Sequence, residues 1–158
     1  DQSESDSMRT RQGDLIQLAL AGEFDVIVHG CNCHCQMGRG IALTIKEQLP
    51  EAYVADCQTP KSDKSKLGTM SMAAIKRGKT QFIVVNAYTQ FDWAGNGVKA
   101  DYHAIRQVMK AIKVAFSGKR IGYPKIGAGL AGGDGDIIYP IICEELAGED
   151  HTYVEYRA

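Results

Sequence analysis

Apolar positions along this chain fall into short consecutive runs and longer stretches with helical spacing, and the two kinds alternate. Asp25-Val26-Ile27-Val28-His29 is apolar at successive positions, the pattern of a strand covered on both faces. Residues 8–11, 69–75, 81–86, 120–123 and 152–156 read as further strands, with Lys76-Arg77-Gly78-Lys79 turning between two of them as a hairpin. From 100 to 116, Ile105, Val108, Met109 and Ile112 recur at helical spacing. Residues 14–21 read as a helix ended by Gly22, with Asp14 as its N-cap or in its first turn. Residues 41–49 form a helix stopped by Pro50, and 137–146 another. The segments 30–38, 58–66 and 90–97 read as loops. Strands separated by helices, with one hairpin, predict a three-layer α/β/α sandwich around a central mixed, mostly parallel sheet. There is no internal repeat and no low-complexity linker, so residues 8–158 are expected to form a single domain. Residues 1–7 are polar and acidic, and are expected to be a disordered leader ahead of a start at Met8.

Composition narrows the class. A chain of 158 residues suits one core, and 44% apolar with 23% charged residues is ordinary for a soluble globular domain. The formal net charge is −1 with signs interspersed, so no basic face is implied and duplex nucleic acid is not an expected partner. No apolar run nears the roughly 18 residues of a membrane span, and a membrane partner is not expected either. Five cysteines, Cys31, Cys33, Cys35, Cys57 and Cys143, are odd in number, with three alternating in one stretch. That is not a disulfide framework, and a reducing, cytoplasmic setting is the simpler expectation. Zinc sites favour two Cys pairs at wider spacing. Alternate residues of an extended loop point apart, so Cys31, Cys33, Cys35 and His34 are not read as a metal site, and no cofactor is expected. His29, ending a buried strand, reads as a satisfied core histidine. A monomer is expected.

Two glycine-rich stretches follow strands and lead into helices. The first is His29-Gly30-Cys31-Asn32-Cys33-His34-Cys35-Gln36-Met37-Gly38-Arg39-Gly40-Ile41-Ala42. The second is Pro124-Lys125-Ile126-Gly127-Ala128-Gly129-Leu130-Ala131-Gly132-Gly133-Asp134. Glycine lets backbone approach a ligand closely, and a helix start offers unpaired N–H groups at the positive end of the dipole, which suits phosphate. Two such loops at the carboxyl ends of strands can grip a diphosphate from both sides. Each alone is equally a tight strand-to-helix turn.

Gly13-Asp14-Leu15, the 30–42 loop and the Pro-Lys-Ile-Gly-Ala-Gly-Leu-Ala-Gly-Gly segment together resemble a macrodomain in order and spacing. Within that family the chain looks most like the branch of ADP-ribose 1″-phosphate phosphatases. The resemblance implies ADP-ribose, its 1″-phosphate or an ADP-ribosylated protein as partner. Asp14, flanked by Gly13 and Leu15, would accept a hydrogen bond from the adenine amino group. Gly30, Cys31, Met37, Gly38, Arg39, Gly40, Ile41 and Ala42 would line the diphosphate and distal ribose. Asn32 would contact the distal ribose, and Ile126, Gly127, Ala128, Gly129, Leu130, Ala131 and Gly132 would cover the diphosphate from the other side. Tyr156 would stack on adenine. These roles suit the chemistry, since a carboxylate accepts from an exocyclic amine, backbone N–H groups hold phosphate and an aromatic face stacks on a base. Asp14 is equally a plain helix cap, and Tyr156 an ordinary strand residue.

Departures from the family bear on activity. Glutamate-linked hydrolases of this family use a lysine and an aspartate whose positions, by the resemblance, are Asn86 and Ala131 here; neither can do that chemistry. The histidine that viral members place before their glycines is Met37. Hydrolysis of a terminal 1″-phosphate remains, with Asn32 orienting the distal ribose and Asp134 or His34 activating water or protonating the leaving oxygen. Asp134 is equally an N-cap, and His34 a surface residue. A tryptophan common in the family after Gly-Gly-Asp is Gly135 in this chain. Trp93 either shields the substrate's distal end or packs on the surface. Non-enzymatic reading of ADP-ribose, or release of ADP-ribose from protein, are the alternatives.

Overall fold

The computed structural model describes residues 8–92, 98–127 and 132–157. Strand β1 (Arg9–Gly13) leads through helix α1 (Leu15–Leu20) to β2 (Val26–Cys31). Helices α2 (Gly40–Gln48) and α3 (Pro50–Cys57) follow, then a 3-10 turn (Lys64–Lys66) and the pair β3 (Met70–Arg77) and β4 (Thr80–Tyr88). Helix α4 (Tyr102–Phe116), β5 (Arg120–Tyr123), α5 (Gly135–Glu145) and β6 (Asp150–Tyr156) complete the chain. The six strands form one sheet in the order β1-β6-β5-β2-β4-β3. Every pairing is parallel except the β3–β4 hairpin.

Strand periodicity sorts side chains between two cores. Val26 and Val28 of β2, with Val85 and Ala87 of β4, pack against Ile105, Val108, Met109 and Ile112 of α4 and Ile138, Ile141 and Ile142 of α5. The intervening Ile27, Phe82 and Val84 pack the other way, onto Leu15, Ile16 and Ala19 of α1, Ile45 of α2 and Ala52 of α3. Helices therefore cover both sheet faces, which is the three-layer sandwich expected from the strand–helix alternation. Among the described residues, no helix is long and apolar enough to cross a membrane.

Three local outcomes differ from the sequence reading. Pro50 ends α2 but also opens α3, at a helix start where its missing N–H is not needed. Helix α3 escapes a periodicity reading because it buries only Ala52 and Asp56. The polar 58–66 segment contains the 3-10 turn, and its Lys66 is buried. The hairpin turn is tighter than read: Arg77 pairs with Thr80, leaving Gly78 and Lys79 to turn, with Gly78 at φ +61°.

Candidate functional site: a cleft over the carboxyl ends of the parallel strands

Strands β5 and β2 are neighbours, so the segment 30–42 after β2 and the described residues 124–127 after β5 face each other. Between them lies a cleft of about 790 Å³, lined by Gly30, Asn32 and Gly38–Ala42 on one side and Pro124, Lys125 and Gly127 on the other. It extends past β6 and β1 to Tyr156, Gly13, Asp14 and Leu15, and past β4 to Gln90. From β1 to β4 is four strand spacings, about 19 Å at roughly 4.8 Å each. The cleft is long, with chemically distinct ends.

Its middle is suited to an anion. Arg39 stands at the N-cap of α2 in extended conformation and makes no side-chain hydrogen bond to the helix. Among the described residues, the first N–H groups of α2, on Gly40, Ile41 and Ala42, thus meet no side-chain cap from Arg39 where these residues line the cleft. Helix α5 differs: Asp134 caps it, its carboxylate accepting from the Asp136 N–H at 2.8 Å. The lining cations Arg39 and Lys125 belong to the two central loops, while the lining carboxylates Asp14 and Glu155 sit at the β1/β6 end.

The floor of the cleft needs residues without side chains. A Cβ on Gly30 would stand 2.7 Å from Thr89 Oγ1. Gly127 has φ +73°, and a Cβ there would stand 3.1 Å from both Ala100 Cβ and Ile138 Cδ1. At Gly135, which opens α5, a Cβ would meet the Tyr139 ring at 3.1 Å.

The candidate residues are distributed unevenly over this site. Gly13, Asp14, Leu15, Gly30, Cys31, Asn32, Gly38, Arg39, Gly40, Ile41, Ala42, Gly127 and Tyr156 all line the cleft. Asp14 is also the α1 cap, Oδ1 accepting from Ile16 N–H at 3.0 Å and Gln17 N–H at 3.2 Å. Asn32 braces its own loop: Oδ1 accepts from His34 N–H at 2.8 Å and Nδ2 donates to the Gln36 carbonyl at 2.9 Å. Met37 and Ile126 are buried beneath the lining, Met37 with Cys31, Cys33 and Tyr88, and Ile126 in the α4/α5 core. Their apolar side chains pack downward rather than toward a ligand. His34 turns from the cleft, edge-on to Phe91 at 4.6 Å with Nδ1 2.7 Å from Ser62 Oγ. Asp134 serves as the α5 cap, and neither it nor Gly132 is in the described lining. Ala128, Gly129, Leu130, Ala131 and Trp93 lie outside the described residues. The sequence reading passed over Gln36, Gln90, Lys125 and Glu155, which also line the cleft. For Gln90 and Lys125 a signal existed: each is an early polar residue after an apolar strand run, at a strand's carboxyl end.

Beneath the first loop runs a chain of buried polar groups. His29 Nε2 donates to Asn86 Oδ1 at 2.7 Å, and Asn86 Nδ2 donates to Ser71 Oγ at 3.0 Å and to the Ala52 carbonyl at 2.9 Å. Ser71 Oγ lies 2.8 Å from the Tyr88 hydroxyl, which donates to Asp56 Oδ1 at 2.7 Å. Burial holds the His29 pKa down at about 4, partly countered by the Asn86 bond, so the imidazole is neutral at pH 7. Burial also raises the Asp56 carboxyl, against Tyr88 and the Lys66 charge, which lower it. His29 is thus the satisfied core histidine expected. Asn86 is fully buried, away from the cleft; Gln90, two residues beyond the end of β4, lines it.

The family model described as the Macro domain matches residues 28–142, more than two thirds of the chain. The chain belongs to the macrodomain family. A phage T4 relative, described as an uncharacterized 17.5 kDa protein of the tk-vs intergenic region, is 34% identical over 136 residues, covering 83% of this chain and 84% of its own. A shorter match, 48% identical over 42 residues, is to an ADP-ribose 1″-phosphate phosphatase of Ajellomyces capsulatus; it spans 27% of this macrodomain but 15% of that enzyme. Among solved structures, a Trypanosoma brucei macrodomain in complex with ADP-ribose superimposes with a TM-score of 0.65 at 16% identity, covering 99% of this chain and 67% of that one. At that identity the likeness speaks for the fold. In this macrodomain the family's two loops therefore form the two walls of one cleft, and the buried polar chain supports one of them.

Proposed function

We propose that the cleft binds ADP-ribose and that the protein hydrolyses ADP-ribose 1″-phosphate to ADP-ribose and phosphate. The observation that carries the binding is the α2 N-terminus, uncapped by Arg39, lining a cleft whose described walls are residues of the 30–42 segment and Pro124, Lys125 and Gly127. Backbone N–H groups and a positive dipole end favour a diphosphate there. Adenine then falls at the β1/β6 end, beside the Asp14 carboxylate and the exposed Tyr156 ring. The distal ribose falls at the β2/β4 end, beside the side-chain amides of Asn32, Gln36 and Gln90. The ADP-ribose bound to the Trypanosoma macrodomain and the short match to a phosphatase support this reading.

For hydrolysis, Asn32 orients the distal ribose and its phosphate, and water attacks to release phosphate. His34 and Asp134 take part only if they leave Ser62 and the α5 cap. A lysyl adduct of the glutamate-linked kind is disfavoured because the position that the resemblance gives to that lysine is Asn86, buried away from the cleft, and the position it gives to the aspartate is Ala131. The commitments of His34 and Asp134 favour a second reading, a non-enzymatic reader of ADP-ribose or of ADP-ribosylated protein. Phosphate release from ADP-ribose 1″-phosphate, beside ADP-ribose calorimetry, separates the two. The expected outcome is release by the native chain that Asn32→Ala abolishes. Binding without release leaves the reader, and no binding removes both.

A further inference from the structure

Among the described residues, Lys66 is the single buried lysine or arginine, 5% exposed at the end of a polar run. An ammonium out of water is costly unless its surroundings compensate it. Four groups do so here, one of them Cys35 Sγ, 3.7 Å from Nζ. The Cys33 carbonyl accepts from Nζ at 3.3 Å. The Tyr88 ring presents its face, with Nζ 4.5 Å from the centroid. Asp56, which accepts the Tyr88 hydroxyl, supplies the countercharge. These contacts converge on one short piece of backbone. The Cys33 carbonyl also accepts from Ser62 N–H at 2.7 Å, and Cys33 N–H donates to the Phe91 carbonyl at 3.0 Å. Cys33 Sγ lies 3.5 Å from the Gln90 carbonyl. The residue after Asn32 is thereby held from two sides, by the 62–66 segment and by the segment following β4.

We propose that Lys66 is a positioning residue for the distal end of the cleft: backed by Tyr88 and Asp56, its ammonium fixes the Cys33 carbonyl, and with it the placement of Asn32 against a ligand's distal ribose. Lys66 does not line the cleft and acts only through the first loop. The inference rests on the ADP-ribose reading above. It predicts an effect confined to one end of the ligand, because the adenine end and the α2 N-terminus do not contact Lys66.

The test uses calorimetric titration of the whole chain with ADP-ribose and with ADP, which lacks the distal ribose. Lys66→Met keeps the stem and removes the charge. Its affinity for ADP-ribose should fall about tenfold, the size of one well-placed hydrogen bond, while its affinity for ADP stays within about twofold of the native chain. If the unpaired Asp56 prevents folding, the double variant Asp56→Asn/Lys66→Met removes both charges and should show the same altered ratio. Equal losses for both ligands, or no loss for either, would overturn the role of Lys66. A native chain that binds ADP but gains nothing from the distal ribose would overturn it too, with the diphosphate site intact. A native chain that binds neither ligand would overturn the ADP-ribose reading itself, and this inference with it.

Discussion

Tyr156, at one end of the cleft, leaves 67% of its surface exposed, while Asn32, toward the other, leaves 9%. The two ends are built on different principles. The β1/β6 end presents side chains that stand on strand and helix termini, above ordinary apolar packing by Leu15, Ile16 and Val154. The β2/β4 end rests on Cys33, Lys66, Tyr88, Asp56, Ser71, Asn86 and His29, a polar stack from the loop down into the sheet. A flat base can be held by a face that is merely present. A sugar that must be oriented needs a loop with one conformation, and paired polar groups confer that specificity at a cost in desolvation. The difference implies that exposed side chains at the first end can be changed with little loss of stability, whereas perturbations beneath the second alter stability together with the placement of Asn32.

The largest expected effect comes from acid at the β2/β4 end. His29 has its folded pKa at about 4, below its ordinary 6.5, because burial disfavours the imidazolium. The unfolded chain therefore binds the proton first. The stability linked to neutral His29 is complete above pH 6.5 and is lost as pH falls from there through about 4. The full shift corresponds to roughly 3 kcal/mol. His151, also lowered chiefly by burial, adds in the same direction. Asp56, raised by burial, opposes it. Comparison with His29→Gln isolates the one term, since Gln keeps a donor for Asn86 Oδ1 and cannot titrate. Denaturant unfolding across pH 4–7 should show a much shallower loss in that variant. Equal slopes would mean that His29 is not the buried titrating group.

How much of this was legible beforehand follows the same divide. Asp14 is legible in the sequence as a helix cap, and Tyr156 is named only through the family resemblance; both line the cleft. The sheet and the three layers follow from the two periods of Val26–Val28 and Ile105–Ile112. The loops' mutual approach does not, since it depends on β5 and β2 becoming neighbours across nearly a hundred residues. Lys66 was illegible for another reason. In Lys-Ser-Asp-Lys-Ser-Lys nothing distinguishes one lysine from the next, and only the 3-10 turn buries the last of them. Met37 and Ile126 were read as ligand contacts because they sit in the right loops. Each is an apolar side chain followed by a glycine, and it packs into the core beneath the cleft lining.

An intermediate effect is expected at the exposed end. Tyr156→Ala should weaken ADP-ribose by about 1–3 kcal/mol, the range for an aromatic ring stacked on a base. The free protein should change by less than about 0.5 kcal/mol, as for exposed positions generally. Calorimetry and thermal unfolding of the same preparation measure both. Unchanged affinity would take adenine away from this end, and a stability loss matching the affinity loss would erase the contrast between the ends.

The smallest expected change in stability, and the sharpest probe of the exposed end, is Asp14→Asn. One carboxylate has two tasks there, and its oxygens divide them. Both α1 bonds, from Ile16 and Gln17, go to Oδ1, so Oδ2 is the atom that can accept from the adenine amino group. An amide keeps the capping oxygen and replaces the other with a donor. Asn caps as well as Asp, so Asp14→Asn should hold free-protein stability to within a few tenths of a kcal/mol, whereas Asp14→Ala should cost about 1 kcal/mol. Donor facing donor should nevertheless weaken ADP-ribose in Asp14→Asn by about 1 kcal/mol or more. An analogue carrying a carbonyl in place of the amino group should shift preference the other way, toward the amide. Thermal unfolding and paired titrations with the two ligands check this. If the Asn and Ala variants lose the same stability, the cap is not formed as described. If the Asn variant keeps its preference for the amine, Asp14 does not read the base, and the exposed end recognises adenine by stacking alone.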